Sequence, residues 1–285
     1  MKILVLGATG MLGRAVFSTL ITEPSLDVFG TLRRDSGRKD YPVFMHDRLL
    51  SNIDALDHDA LVSMMERIRP DVVINCVGLI KQVAASNDPL LALPINALLP
   101  HRLAKLCALS GARLIHISTD CVFSGSGSMY TEADASDAQD LYGKSKYLGE
   151  LHDLPHAITL RTSIIGHGVG GNDSLIDWFL AQDGHVKGYR KAIFSGLPTV
   201  ELARLMRDYV IPAPSLFGLY HVSAEPINKY ELLGLVADVY DKHVEIAPDD
   251  SLVIDRSLDS SRFRQATGYV PPSWPKLIEA MYDAK

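Results

Sequence analysis

A chain of 285 residues, 47% apolar and 22% charged, has the composition of an ordinary soluble globular protein and the length for one large α/β domain or two smaller ones. Its formal net charge of −6 excludes a global attraction to nucleic acid or an anionic membrane, so an anionic ligand needs a local basic patch. The scattered cysteines Cys76, Cys107 and Cys121 form no CxxC pair, and the histidines lack ligand spacing. Reduced thiols in the cytoplasm are therefore expected, with no disulfide framework and no metal site.

The chain opens on KILVLG (2–7), a buried strand whose apolar run stops at Gly7, so no signal peptide is expected. A helix over 11–22, a strand over 27–32, a helix over 57–70 and a strand over 71–78 follow. Asp57 is the expected N-cap of the third of these elements and Pro70 its stop. A helix over 97–112 stops at Gly111, and strands over 113–118 and 157–163 flank a helix around 142–151. Strands apolar throughout and separated by helices predict a doubly wound parallel α/β sheet covered on both faces. After about residue 163 the pattern loosens into a smaller C-terminal lobe. It holds a glycine-rich loop (166–173), a helix (174–182) with Trp178 in its core, a turn at DGHVKG (183–188), a helix (199–210), a strand (218–223) and a helix near 228–240. The expected division is 1–162 and 163–285, with segments such as 199–223 able to return to the first domain. No run is long enough to span a bilayer.

GATGMLG places Gly7, Gly10 and Gly13, with Thr9, Met11 and Leu12 between them, directly after the first strand. The glycines serve a sharp turn, close approach of backbone to phosphate, and tight helix–strand packing, while the helix N-terminus offers N–H groups to a pyrophosphate. This predicts a dinucleotide site. About twenty residues on, where NAD sites carry an acidic residue, the chain has Arg33 and Arg34, which can grip a 2′-phosphate; NADP(H) is expected over NAD(H), with Asp35 as a nearby acid opposing that choice. Farther along, Tyr142 and Lys146 stand four apart in LYGKSKYLGE, a spacing that does not by itself separate a catalytic pair from a surface helix.

Taken together, GATGMLG (7–13), RPDVVINCVG (69–78), ISTDCVFSG (117–125), YGKSK (142–146), LRTS (160–163), ELARLM (201–206), GLYHVS (218–223) and LDSSRF (258–263) resemble the extended short-chain dehydrogenase/reductase family, nearest its 4-dehydrorhamnose reductase branch. The likeness runs along nearly the whole chain and implies a Rossmann fold and an NAD(P)-dependent oxidoreductase acting on a sugar keto or hydroxyl group. It assigns Tyr142 as proton donor, Lys146 as the ammonium that lowers its pKa, and Thr119 as hydrogen-bond donor to the carbonyl, a role the adjacent Ser118 could also fill. It further implies that Asp54 contacts the adenine, that Cys76, Val77 and Gly78 pass the cofactor ribose, and that Ser163 lies by the nicotinamide. Asn96 matches a structural position.

The departures from the family pattern lie on the substrate side. Cys121 and Ser124 replace an aromatic residue and an aspartate, Ile164 and Gly166 a tryptophan and a tyrosine, and Lys81 and Gln82 stand where small or aromatic residues are usual. Lys81, Asp120, Cys121, His167 and Arg190 are the candidate substrate contacts. Asp120 equally suits a turn cap, His167 an exposed loop, and Arg190 with Lys187 and Lys191 a solvated face, while Cys121 reads as small-residue packing rather than a nucleophile. The expected activity is NADPH-dependent reduction of a nucleotide-linked 4-keto-6-deoxy sugar for cell-surface polysaccharide precursors, in a chain able to form a homodimer. A nucleotide-sugar epimerase or dehydratase is the alternative within the class, though Cys121 stands where dehydration usually requires a Glu. A non-catalytic NADP-binding regulatory subunit is the alternative outside it.

Overall fold

The computed structural model of the protein describes residues 1–81, 84–168 and 174–285. Gln82 and residues 169–173 of the glycine-rich loop lie outside the described residues. In the first half the elements are β1 (Lys2–Leu6), α1 (Met11–Leu20), β2 (Asp27–Thr31), β3 (Leu49–Leu50), α2 (His58–Ile68), β4 (Val72–Asn75), α3 (Pro89–Ala92), α4 (Leu99–Ser110), β5 (Arg113–Thr119), α5 (Leu141–Leu148) and β6 (Ala157–Thr162). Local chemistry sets the ends of the helices. The Asp57 carboxylate accepts the Ala60 N–H at 3.0 Å to start α2. Arg69, left-handed at φ 50°, ends it one residue before Pro70. Gly111, at φ 72°, closes α4 as expected.

The second half contains β7 (Ile164–Ile165), α6 (Leu175–Leu180), β8 (His185–Tyr189), β9 (Ala192–Phe194), β10 (Leu197–Pro198), α7 (Thr199–Leu205), β11 (Gly218–His221), β12 (Ile227–Asn228), α8 (Lys229–Val239), β13 (Glu245–Asp249), β14 (Ile254–Asp255), α9 (Ser261–Thr267) and α10 (Trp274–Asp283). Seven strands form one sheet in the order β11-β6-β5-β4-β1-β2-β3. Every pairing within it is parallel. Successive residues of β1 serve opposite faces: Ile3 and Val5 join a core with Phe17, Leu202 and Leu277, while Leu4 and Leu6 join one with Leu61, Leu103 and Leu114. Helices thus cover both faces, and the wholly apolar strands are explained. The chain winds one way from β1 to β3 and the other from β4 to β11, so a crevice opens beyond the carboxyl ends of β1 and β4.

Three local expectations change. Residues 183–188 are not one turn: after Gly184 the chain enters β8, which pairs in parallel with β13. The close approach of Tyr230 and Ile246 to Gly188 explains the small residue there. Trp178 is not core but 38% exposed, because Ile176 and Phe179 take the buried face of α6. The helix expected over 199–210 is α7 followed by a wider π turn over Met206–Val210.

Beneath the carboxyl edge of the sheet lies a buried ion pair. Arg161 on β6 donates Nε–H to Glu150 Oε1 at 2.9 Å and Nη2–H to Oε2 at 2.6 Å, both residues being almost wholly buried. Removing one member of such a pair strands the other without water or counterion. Arg161→Met is expected to lower the unfolding free energy by about 3–5 kcal/mol, read from urea melts, and Glu150→Gln/Arg161→Met to cost less than the single change.

Candidate active site

The turn from β1 to α1 builds a cradle that side chains would fill. Gly7 takes φ +80°, and a Cβ on Gly13 would lie 2.1 Å from the Gly7 carbonyl oxygen. Thr31, buried on β2, accepts the Gly7 N–H at 3.0 Å, and Tyr41 donates its hydroxyl to the Ala8 carbonyl at 2.5 Å. Helix α1 starts at the exposed Gly10 with no side-chain cap among the described residues, leaving its first N–H groups open to the crevice. The shape and the bare helix N-terminus fit a pyrophosphate. Arg33 and Arg34 are exposed past the end of β2, and Arg33 comes within 3.9 Å of Asp54. The candidate 2′-phosphate and adenine contacts are therefore neighbours at one end of the crevice. Asp35 is taken up by Arg38 at 3.1 Å and Ser51 at 2.6 Å.

From the glycine turn a cavity of about 680 Å³ runs across the carboxyl ends of β4, β5 and β6. It is lined by Gly10, Met11 and Leu12, by Cys76, Val77 and Gly78, by Thr119, Asp120 and Cys121, and by Tyr142, Lys146 and Ser163. Helix α5 delivers Tyr142 and Lys146, with the Asp140 carboxylate accepting the Gly143 N–H at 2.7 Å as its N-cap. Gly143 is needed for this approach, since a Cβ there would sit 2.2 Å from the Cys121 carbonyl oxygen. Asn96 locks the same corner, accepting the Leu79 N–H at 2.9 Å and donating to Ser145 Oγ at 3.2 Å.

Ser118 and Thr119 separate cleanly, because neighbours on a strand face opposite ways. The Ser118 hydroxyl donates to buried Glu150 at 2.6 Å, whereas the Thr119 hydroxyl donates to Asp120 Oδ1 at 3.2 Å on the cavity wall that Tyr142 also lines. Burial, then the Cys121 and Asp120 charges, push the Tyr142 phenol up, and the Thr119 contact works against them. The Lys146 ammonium donates to the Ile117 carbonyl at 2.7 Å, and burial lowers its pKa to about 8 against the opposing pull of Glu150.

Of the candidate substrate contacts, the structure brings Lys81, Asp120 and Cys121 to the cavity and leaves two outside it. His167 is held between Asp177 (2.7 Å) and the Tyr240 hydroxyl (2.8 Å), beside a second cavity bounded by α1, α6, α7 and α10. Arg190 forms a two-point ion pair with Asp250 at 2.8 and 2.6 Å, and Lys187 pairs with Asp249 at 2.9 Å, so this basic run is neutralised on the surface. Lys81 bonds Asp140 at 2.6 Å. Burial pushes the Cys121 thiol up to about 12, which makes it unreactive. Asp120 is buried beside Thr119, Ser163 and Arg256, and burial raises its carboxyl pKa despite them. The unusual residues Ile164 and Gly166 also line the cavity, whereas Ser124 turns away to bond Asp137 at 2.5 Å. Sequence reasoning missed Lys229, Arg256, Ile193, Phe194 and Ile254, which form the opposite wall and reach it from elements distant in the chain. The described residues hold no helix long and apolar enough to cross a membrane and no acid, histidine or cysteine cluster able to bind a metal.

A parallel sheet with a glycine turn and a Thr–Tyr–Lys group at one crevice defines an extended short-chain dehydrogenase/reductase fold. The chain belongs to the family described as the RmlD substrate binding domain, which matches residues 1–284. It is 30% identical to methionine adenosyltransferase 2 subunit beta of Danio rerio, over 84% of this chain and 74% of that one. It is 26% identical to the dTDP-4-dehydrorhamnose reductase of Aggregatibacter actinomycetemcomitans, over 98% and 97%. The solved structure of a dTDP-4-dehydrorhamnose reductase from Bacillus anthracis, in complex with NADP, shares the fold with a TM-score of 0.79 at 22% identity, covering 99% of each chain.

Because the folded-state pKa of Lys146 is depressed, the unfolded chain binds more protons between about pH 8 and the free lysine value, and stability rises with pH through that window. Lys146→Met removes this dependence. Relative to the variant, the wild type is expected to gain up to about 3 kcal/mol between pH 7 and pH 10, measured as the difference between their urea melts.

Proposed function

We propose that this protein reduces a nucleotide-linked 4-keto-6-deoxy sugar with NADPH, as a dTDP-4-dehydrorhamnose reductase-like enzyme making precursors of a cell-surface polysaccharide in the cytoplasm. The observation that carries the reading is the placement of Thr119 and Tyr142 together on the wall of a cavity that is continuous with the glycine cradle. A relative named as a dTDP-4-dehydrorhamnose reductase, matched along almost its whole length, supports it.

In this reading the cradle from Gly7 to Gly13 binds the pyrophosphate. Arg33 and Arg34 take the 2′-phosphate, Asp54 the adenine, and Cys76 to Gly78 with Ser163 border the ribose and nicotinamide. NADPH supplies the hydride when bound. Thr119 donates a hydrogen bond to the keto oxygen, and Tyr142 hands that oxygen its proton. A phenol whose pKa is raised by burial stays protonated and ready to donate in the reductive direction. Lys146, released from the Ile117 carbonyl, offers its N–H donors to the ribose hydroxyls. Residues 1–162 carry the cofactor, and the chain beyond 163, apart from the segments that return to the sheet, closes on the sugar.

The likeness to methionine adenosyltransferase 2 subunit beta favours a second reading, a nucleotide-binding subunit without turnover of its own. Purified protein with NADPH and a panel of nucleotide 4-keto sugars separates the two: cofactor consumption is expected, and tight NADPH binding with no consumption on any sugar would sink the reductase. Tyr142→Phe is expected to keep NADPH affinity and lose about 10²–10⁴-fold in kcat, measured by NADPH absorbance. Arg33→Ala/Arg34→Ala is expected to weaken NADPH by roughly tenfold or more while leaving NADH unchanged, measured by fluorescence titration; an equal effect on both cofactors would refute the 2′-phosphate assignment.

A further inference from the structure

The cavity that Tyr142 lines also carries two cations that the reductase chemistry leaves without a role. Lys229 is the first residue of α8, and its ammonium lies 6.0 Å from the centre of the Phe194 ring. Among the described residues no carboxylate lies within 4 Å of it and no acceptor takes its N–H groups. Arg256, just past β14, is held by neutral groups: Nε–H donates to the Phe123 carbonyl at 2.7 Å, Nη2–H to the Ser124 carbonyl at 3.3 Å, and Nη1–H reaches Cys121 Sγ at 3.8 Å. It too has no carboxylate within 4 Å among the described residues.

The surroundings do not balance these charges. Ile193, Phe194 and Ile254 make the wall between them apolar. The other two cations of the cavity are engaged, Lys81 with Asp140 at 2.6 Å and Lys146 with the Ile117 carbonyl at 2.7 Å. Asp120, the acid that faces both, accepts the Thr119 hydroxyl at 3.2 Å, and its burial favours the neutral form. Burial likewise lowers Lys229, against the pull of Asp120 and Cys121. Two cations against an apolar wall with no contacting counterion are unfavourable in the empty protein, and a ligand anion relieves them.

We infer that Lys229 and Arg256 form a seat for an oxyanion group of the substrate, beside the reacting carbonyl rather than at the nucleoside end. The position follows from Cys121: it touches Arg256 and lies two residues after Thr119. The inference rests on the proposed use of this cavity for a nucleotide sugar. Oxyanion oxygens at that place come either from the diphosphate that links nucleoside to sugar or from a carboxylate on the sugar ring. A ring carboxylate would make the substrate a keto-uronate rather than a simple 6-deoxy sugar.

The Lys229 ammonium makes no hydrogen bond among the described residues, so its replacement tests the seat without dismantling a structure. NADP⁺-saturated wild type, Lys229→Met and Lys229→Arg are titrated by calorimetry with inorganic pyrophosphate, dTDP-glucose and dTDP-glucuronate. Lys229→Met is expected to lose roughly tenfold in affinity, with Lys229→Arg restoring most of it. Equal losses on pyrophosphate and dTDP-glucose assign the seat to the diphosphate. A loss confined to dTDP-glucuronate assigns it to a ring carboxylate. Affinities of Lys229→Met within twofold of wild type for all three titrants overturn the seat and leave the reductase reading intact, as does wild type binding none of them while still consuming NADPH on a keto sugar. Lys229-dependent binding of pyrophosphate by a protein that takes neither nucleotide sugar keeps the seat and removes the nucleotide-sugar reading.

Discussion

One buried carboxylate organises the carboxyl edge of the sheet. Glu150 accepts the Ser118 hydroxyl from β5 and two N–H groups of Arg161 from β6, and its charge opposes the loss of the Lys146 proton. Arg161 in turn donates Nη1–H to His221 Nε2 on β11 at 2.8 Å. Burial and the Arg161 charge lower the His221 pKa to about 4, so its ring is neutral, accepts at Nε2 and donates Nδ1–H to the Tyr130 carbonyl. Three strand ends are thereby fixed to one another by charge-assisted bonds at the place where Thr119 and Ser163 emerge. A geometry good to fractions of an ångström requires such support beneath the reacting groups. The same arrangement commits Ser118 below the sheet edge and leaves Thr119 to face the cavity.

The elements legible in the sequence are those whose cause is local. The continuous apolar run of β1, the Asp57 cap, the left-handed Gly111 and the Gly7–Gly13 cradle all follow from residues within a few positions of one another. What escaped has long-range causes. Trp178 sits in an apolar run, but only the packing of α6 against its neighbours decides that Ile176 and Phe179 turn inward. The pairing of β8 with β13 joins segments some sixty residues apart, and the charges of β8 are cancelled by Asp249 and Asp250 at the far end of that pairing. Lys229 and Arg256 lie more than a hundred residues beyond Thr119, and no motif links them to it.

Spacing along a helix also has limits as an electrostatic argument. Tyr142 and Lys146 share a face of α5, yet their polar ends meet different partners. The phenol lies against Thr119 and the ammonium against the Ile117 carbonyl, on the two sides of the strand end between them. The small residue at Gly143 lets α5 approach the turn after β5, since a Cβ there would stand 2.2 Å from the Cys121 carbonyl oxygen.

The two walls of the cavity are under different constraints. The cradle wall is backbone: left-handed Gly7, the buried Gly13 and the N-terminus of α1 leave little latitude, since a single Cβ closes the turn. The opposite wall is made of side chains from loops and short strands after residue 163, and each can change without unmaking the sheet. The departures at Ile164 and Gly166 lie within that freedom, and both line the cavity, as does Cys121 in the turn after β5. Replacing aromatic residues by a thiol, an aliphatic chain and a glycine removes stacking surface. The cations at Lys229 and Arg256 supply charge in the same space, so under the proposed function recognition there would shift from ring stacking to anion binding, with Thr119 and Tyr142 kept on the same cavity wall.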